Sequence, residues 1–160
     1  MSGLDDSNIK ILTLMQTDAS RTADEIAAAV GLSASAVQKR LRQMRADGII
    51  EREVALVSPA AVGGVSLFLV NVQLVSTKHA TIEKFRTLMR DTDEVLQCFD
   101  ITGSFDFCLL VAAKGTRAYE SFSNRFFTEE NYVARFQTSI VLRSVKFGFA
   151  LPLEKLLAEE

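Results

Sequence analysis

The sequence predicts an α+β protein in two parts, and three observations predict it. Early in the chain apolar residues recur at helical spacing, and from Gly64 onward the period falls to two, interrupted by two helical stretches. Between these regions Ser58-Pro59 and Gly63-Gly64 mark a soft junction. The expected boundaries are a first domain over 1–58, a linker over 59–64 and a second domain over 65–160.

A first helix is predicted from Asp6 to Thr17, with Ile9, Leu12 and Met15 or Gln16 on one face and Asp5 or Asp6 as its cap. Thr22-Ala23-Asp24-Glu25 has the T-x-x-E form of a capping box, and Ile26, Ala27 and Val30 lead to Gly31, suited to a left-handed stop. Ser33 caps a third helix whose stripe is Val37, Leu41 and Met44, ended by Asp47-Gly48. IIEREVALVS then alternates imperfectly and is expected to form a small hairpin or connecting strand, closing a winged helix-turn-helix.

The second part reads VSLFLVNVQLV as a strand, ATIEKFRTLMRD as a helix, and EVLQCFDIT and FDFCLLVAA as two strands joined at Thr102-Gly103-Ser104. TRAYESFSNRFF follows as a helix and ARFQTSIVLRSVKFGF as a last long strand. The order βαββαβ is that of a ferredoxin-like domain.

The chain has 160 residues, 48% of them hydrophobic and 24% charged, with two prolines, which excludes a disordered chain. A chain of this size buries about 70% of its unfolded surface, so a core forms without disulfides. Cys98 and Cys108 lie in apolar runs with no second Cys or His at metal-ligand spacing, and both are expected to be buried free thiols. MSGLDDSNIK has no basic-then-apolar leader and no apolar run reaches membrane-spanning length, so a cytoplasmic location is expected.

The net charge is −2, yet SASAVQKRLRQMRA, from Ser33 to Ala46, holds Lys39, Arg40, Arg42 and Arg45 without one acid. A local positive field is therefore possible on an acidic protein. Ala27, four residues before Gly31, is small where two helices cross closely, and Leu32 and Val37 supply core contacts after the turn. On a helical wheel Ser35, Gln38, Lys39 and Arg42 lie opposite the apolar stripe. These are the candidate contacts to double-stranded DNA: Gln38 to an adenine edge, Lys39 and Arg42 to guanine or phosphate, and Ser33 and Ser35 to phosphate. Arg45 joins the set from one flank of the stripe; it and Arg40 are expected to touch backbone or neighbouring helices. A solvated basic face on a three-helix bundle is the competing reading, disfavoured by the absence of acids combined with the Ala27, Gly31, Val37 spacing.

LDDSNIKILTLMQTDASRT, DEIAAAVGLSASAVQKRLRQMRADGII, VALVSPAAVG, ITGSFDFCLLV and TSIVLRSVK, in that order, resemble the Lrp/AsnC (feast/famine) transcriptional regulators over nearly the whole chain. The resemblance implies a winged helix-turn-helix joined to a βαββαβ regulatory domain. It also implies dimers built through strand pairing, often four to an octameric disc, with amino acids or related metabolites bound between dimers. Gly103 and Asp106 match the family's G-x-x-D pattern, and Thr102 and Thr138 match two of its threonines. Two departures stand out: Asn8 replaces a common aspartate, and EENYVARFQTS lacks the usual proline-glycine turn.

Read from the residues alone, Gly103 is explained as a turn glycine, and Asp106 can merely hydrogen-bond that turn. As an effector site, the turn offers backbone amides and the hydroxyls of Thr102 and Ser104, with Asp106 able to pair an ammonium group. His79, the single histidine, is expected on the surface. With no metal cluster and no nucleophile–base pair, no cofactor and no catalysis are expected. An enzyme like the siroheme decarboxylases, which resemble this family, and a non-sensing architectural DNA-binding protein are the alternatives. The basic third helix argues against the first, and ligand-induced thermal stabilisation separates the second.

Overall fold

The structure is a computed structural model that describes residues 4–157. They divide into two compact units: one takes in the residues up to Ala55 together with those from Lys146 onward, the other is Leu56–Val145. The tail from Lys146, expected in the second domain, thus packs with the first.

In the first unit α1 (Asp6–Thr17), α2 (Ala23–Val30) and α3 (Ala34–Ala46) surround a core of Ile11, Leu12, Ile26, Ala27, Val37, Leu41 and Met44. Each helix start is satisfied by its predicted cap. Asp5 accepts from the Asn8 N–H at 2.7 Å, Thr22 and Glu25 form the reciprocal box, and Ser33 Oγ accepts from the Ala36 N–H at 3.2 Å. Gly31 closes α2 at φ 72°, ψ 34°, a left-handed conformation costly for a side-chain-bearing residue. Late in the chain α7 (Leu153–Leu157) returns to this unit. Leu153 packs on the core, and the Gln16 amide brackets Leu151, accepting from its N–H at 2.7 Å and donating to its carbonyl at 3.2 Å.

The expected hairpin after α3 is not formed: residues 51–58 carry no strand, and Val54, Leu56 and Val57 are 65–70% exposed. Alternation alone cannot make a strand without a partner edge to take its backbone hydrogen bonds.

The second unit opens with the short α4 (Pro59–Val62), then β1 (Val65–Leu74), α5 (His79–Arg90), β2 (Val95–Asp100), β3 (Phe107–Lys114), α6 (Gly115–Phe126) and β4 (Val133–Ile140). The sheet order is β2-β3-β1-β4, with every neighbouring pair antiparallel, as a βαββαβ ferredoxin-like domain requires. Phe68, Val70, Val72 and Leu74 alternate into one face with Phe107, Leu109 and Val111, where Phe85, Met89, Tyr119 and Phe122 of α5 and α6 cover them. The register puts Leu67, Leu69, Leu110, Ala112 and Phe99 on the opposite face, where Leu69 is 41% and Phe99 51% exposed.

VSLFLVNVQLV forms the interior strand β1, paired on both sides. The last strand is shorter than its pattern, ending at Ile140 opposite Phe68 of β1, with one further bond from the Val141 N–H to Leu67 O at 2.9 Å. Where a proline-glycine turn is missing, a single 3₁₀ turn over Glu129–Asn131 is capped by Tyr132 at φ 69°. Cys98 and Cys108 are half-buried free thiols, and because Cys98 pairs with Leu109 and Cys108 with Phe99, they point to opposite faces and cannot bond.

Candidate functional site

α3 presents the predicted polar face. Ser33, Ser35, Gln38, Lys39, Arg42 and Arg45 are exposed, whereas Val37, Leu41 and Met44 are buried. Ser33 Oγ is spent on the helix cap and lies 3.1 Å from Ser35 Oγ, so both hydroxyls sit at the helix start beside its first amide groups. Among the described residues, no hydrogen bond or ion pair engages the side chains of Gln38, Lys39 or Arg42. The two remaining arginines are engaged. Arg40 donates to Asp5 Oδ2 at 2.6 Å and to Asn8 Oδ1 at 2.9 Å, locking α3 against the start of α1. The Asn8 amide thus still accepts from Arg40, and Asp5 supplies the carboxylate. Backbone donation from Asn8, then Arg40, holds the Asp5 carboxyl below the ordinary aspartate value. Arg45 donates through Nε and Nη2 to Glu53 Oε1, at 3.0 and 2.6 Å, so this member of the predicted set already has an anionic partner.

The second candidate site is the turn between β2 and β3. Thr102, Gly103 and Ser104 are exposed, and Gly103 has φ 117°, open only to glycine in practice. Asp106 is half-buried and structural in one respect. The Asp106 N–H extends the ladder to Val72 O at 2.9 Å, and Asp106 Oδ2 accepts from the Leu74 N–H at 2.7 Å. β3 begins only at Phe107, so this carboxylate replaces the main-chain acceptor that Leu74 would otherwise lack. Its second oxygen accepts none of the described hydrogen bonds.

Thr138 is not beside this turn within one chain. It faces Val70 on the helix side of the sheet, with its hydroxyl 2.5 Å from the Tyr119 OH. From the register, two strand spacings and three residues separate it from the level of Asp106, about 14 Å. Two concavities, about 560 Å³ between α5, the loop that follows it and α6 and about 380 Å³ between α1 and α3, are lined by none of the five predicted effector residues. The prediction missed Arg135, whose guanidinium lies 5.1 Å from the Phe105 ring and donates to Gln73 Oε1 at 2.7 Å, placing a cation at the turn's flank. Its distance from the turn in sequence left no local signal; only strand pairing brings β4 there.

The Lrp/AsnC ligand binding domain model matches residues 67–151, and the AsnC-type helix-turn-helix domain model matches residues 4–45. An uncharacterised HTH-type transcriptional regulator of Sinorhizobium fredii is 38% identical over 151 residues, 94% of this chain and 89% of the relative. The glutamate uptake regulatory protein of Zymomonas mobilis is 32% identical over 118 residues, covering 73% and 71% of the two chains. Among solved structures, a transcriptional regulator of Neisseria meningitidis in complex with L-Met superposes with a TM-score of 0.89 at 31% identity, covering 96% and 99%. Helix-turn-helix, antiparallel βαββαβ sheet and sequence agree over nearly the whole length, and the chain belongs to the Lrp/AsnC family of transcriptional regulators.

Proposed function

We propose that this regulator reads duplex DNA with the outward face of α3 and is tuned by an amino acid or related metabolite through ligand-dependent changes in its homo-oligomeric assembly. The observation that carries the DNA reading is the trio Gln38, Lys39 and Arg42, exposed and, among the described residues, unpaired on a helix with no acid. Gln38 reads a base edge, and Lys39 and Arg42 take phosphate or guanine, with Ser33 and Ser35 at the helix start beside the phosphates. Arg42→Ala and Lys39→Ala are each expected to flatten the salt dependence of DNA binding by about 0.9 in a log-log plot. An unchanged slope in both would remove α3 from the interface.

The open sheet face supports a dimer at least, since Leu69 and Phe99 are left exposed on the same face of the sheet, away from α5 and α6. Further assembly into an octamer of four dimers follows the family pattern. The effector site is assigned to Thr102, Gly103, Ser104 and Asp106, completed by Thr138 of a neighbouring copy, because one chain keeps Thr138 away from its own turn. A site that needs two copies couples binding to assembly by mass action. The L-Met complex of the Neisseria relative supports an amino-acid ligand. No catalytic role is assigned, as the relatives compared are named regulators. No helix among the described residues is long and apolar enough to cross a membrane, consistent with action on DNA in the cytoplasm.

A further inference from the structure

We propose that Glu53 masks Arg45, acting as a built-in substitute for a DNA phosphate and withholding one cation from the reading face of α3; this rests on that helix being the DNA-contacting element. Gln38, Arg42 and Arg45 follow one another at i, i+4 and i+7, so they fall within a sector of about 60° on the helical wheel. Arg45 continues the row one turn past Arg42, about 4.5 Å along the axis. It differs from Arg42 in having an acid against it. Two N–H groups on one edge of its guanidinium converge on Glu53 Oε1, the edge by which arginine grips a phosphate oxygen.

The pair is exchangeable and not a core strut: the side chains are 46% and 38% exposed. The contrast with Arg40 is informative. That arginine lies across the apolar stripe, paired with two residues at the start of α1, where it holds the helices together. Glu53 instead belongs to residues 51–58, the strandless segment that leads into the second unit at Leu56. A change in the path of that segment therefore changes whether Arg45 is neutralised.

The test uses the full chain and a short duplex of random sequence, with anisotropy titrations between about 50 and 200 mM salt. Glu53→Gln and Glu53→Ala are each expected to bind more tightly and to steepen the log-log slope by about 0.9, one added phosphate contact. Both gains are expected to vanish when Arg45→Ala is added. No steepening in either Glu53 variant would overturn the proposal. An equal gain with and without Arg45 would overturn it too, showing that Glu53 repels DNA in general. Absence of duplex binding by the wild-type chain would fail the reading of α3 itself, a result distinct from a wild type that binds but is indifferent to Glu53.

Discussion

The carboxylate of Asp106 accepts the Leu74 N–H at 2.7 Å, standing in for a main-chain rung at the point where β3 has not yet begun. Asp106→Ala strands a half-buried donor and is expected to cost about 1–3 kcal/mol of stability. Asp106→Asn keeps an acceptor oxygen while removing the charge, and should lose much less. Urea unfolding of the two variants measures the difference; equal losses would mean that the charge and not the acceptor matters to the sheet. Asp106→Asn is then the variant with which to test ammonium binding, with a panel of amino acids that includes L-methionine in calorimetry. Binding at wild-type affinity by the Asn variant would return Asp106 to a structural role.

Gly31 holds a left-handed conformation, and no atom lies within 4 Å of where its Cβ would stand. Gly31→Ala therefore meets backbone strain without a clash, and about 1–2 kcal/mol of destabilisation is expected. Thermal unfolding that shows no loss would mean that the α2–α3 turn relaxes to another geometry.

Asp5 has its carboxyl lowered by the Asn8 N–H and by Arg40. A depressed acid contributes stability that is fully present above the ordinary aspartate value, about 4, and is lost as pH falls through the lowered one. Asp5→Asn should therefore lower stability near neutrality, where the ionised carboxylate contributes, and converge on the wild type as pH falls below about 4, flattening that part of the acid limb. Denaturation midpoints compared at both ends of that range check the sign.

Burial, and to a lesser extent Asp100, pushes the Cys98 thiol up to about 11. At pH 8 its thiolate fraction falls about a hundredfold below that of a thiol titrating near 9, and iodoacetamide should modify it correspondingly slowly in the folded chain. Mass spectrometry of Cys98 peptides before and after unfolding reads this out. Fast labelling of the native protein would show that the β2 edge opens.

Leu69 and Phe99 lie on the sheet face away from α5 and α6. Leu69→Glu or Phe99→Glu should shift the assembly toward monomers while leaving the helix-covered core intact. Light scattering at micromolar concentration would contradict this if it found the variants as associated as the wild type.

Much of the fold and part of the site were legible in the amino-acid order, because local physics determines them. Asp5, Thr22, Ser33 and Gly31 satisfy helix ends within three or four residues of themselves, so caps and helix bounds could be read directly. The period-two runs likewise announced β1 through β4, and the acid-free face of α3 was visible on a wheel. What the order of residues did not determine was partnership. The apolar run of β1 does not say that two strands will flank it, 51–58 looks like a hairpin until it lacks a neighbour, and the final strand stops at Ile140 although its apolar pattern runs on. Asp106 meeting Leu74, Arg135 reaching the turn and Thr138 held by Tyr119 all depend on strand register, and Arg45 meeting Glu53 depends on the path of the chain after α3. Those contacts join residues distant in sequence or on irregular backbone, where no periodicity encodes the distance between them.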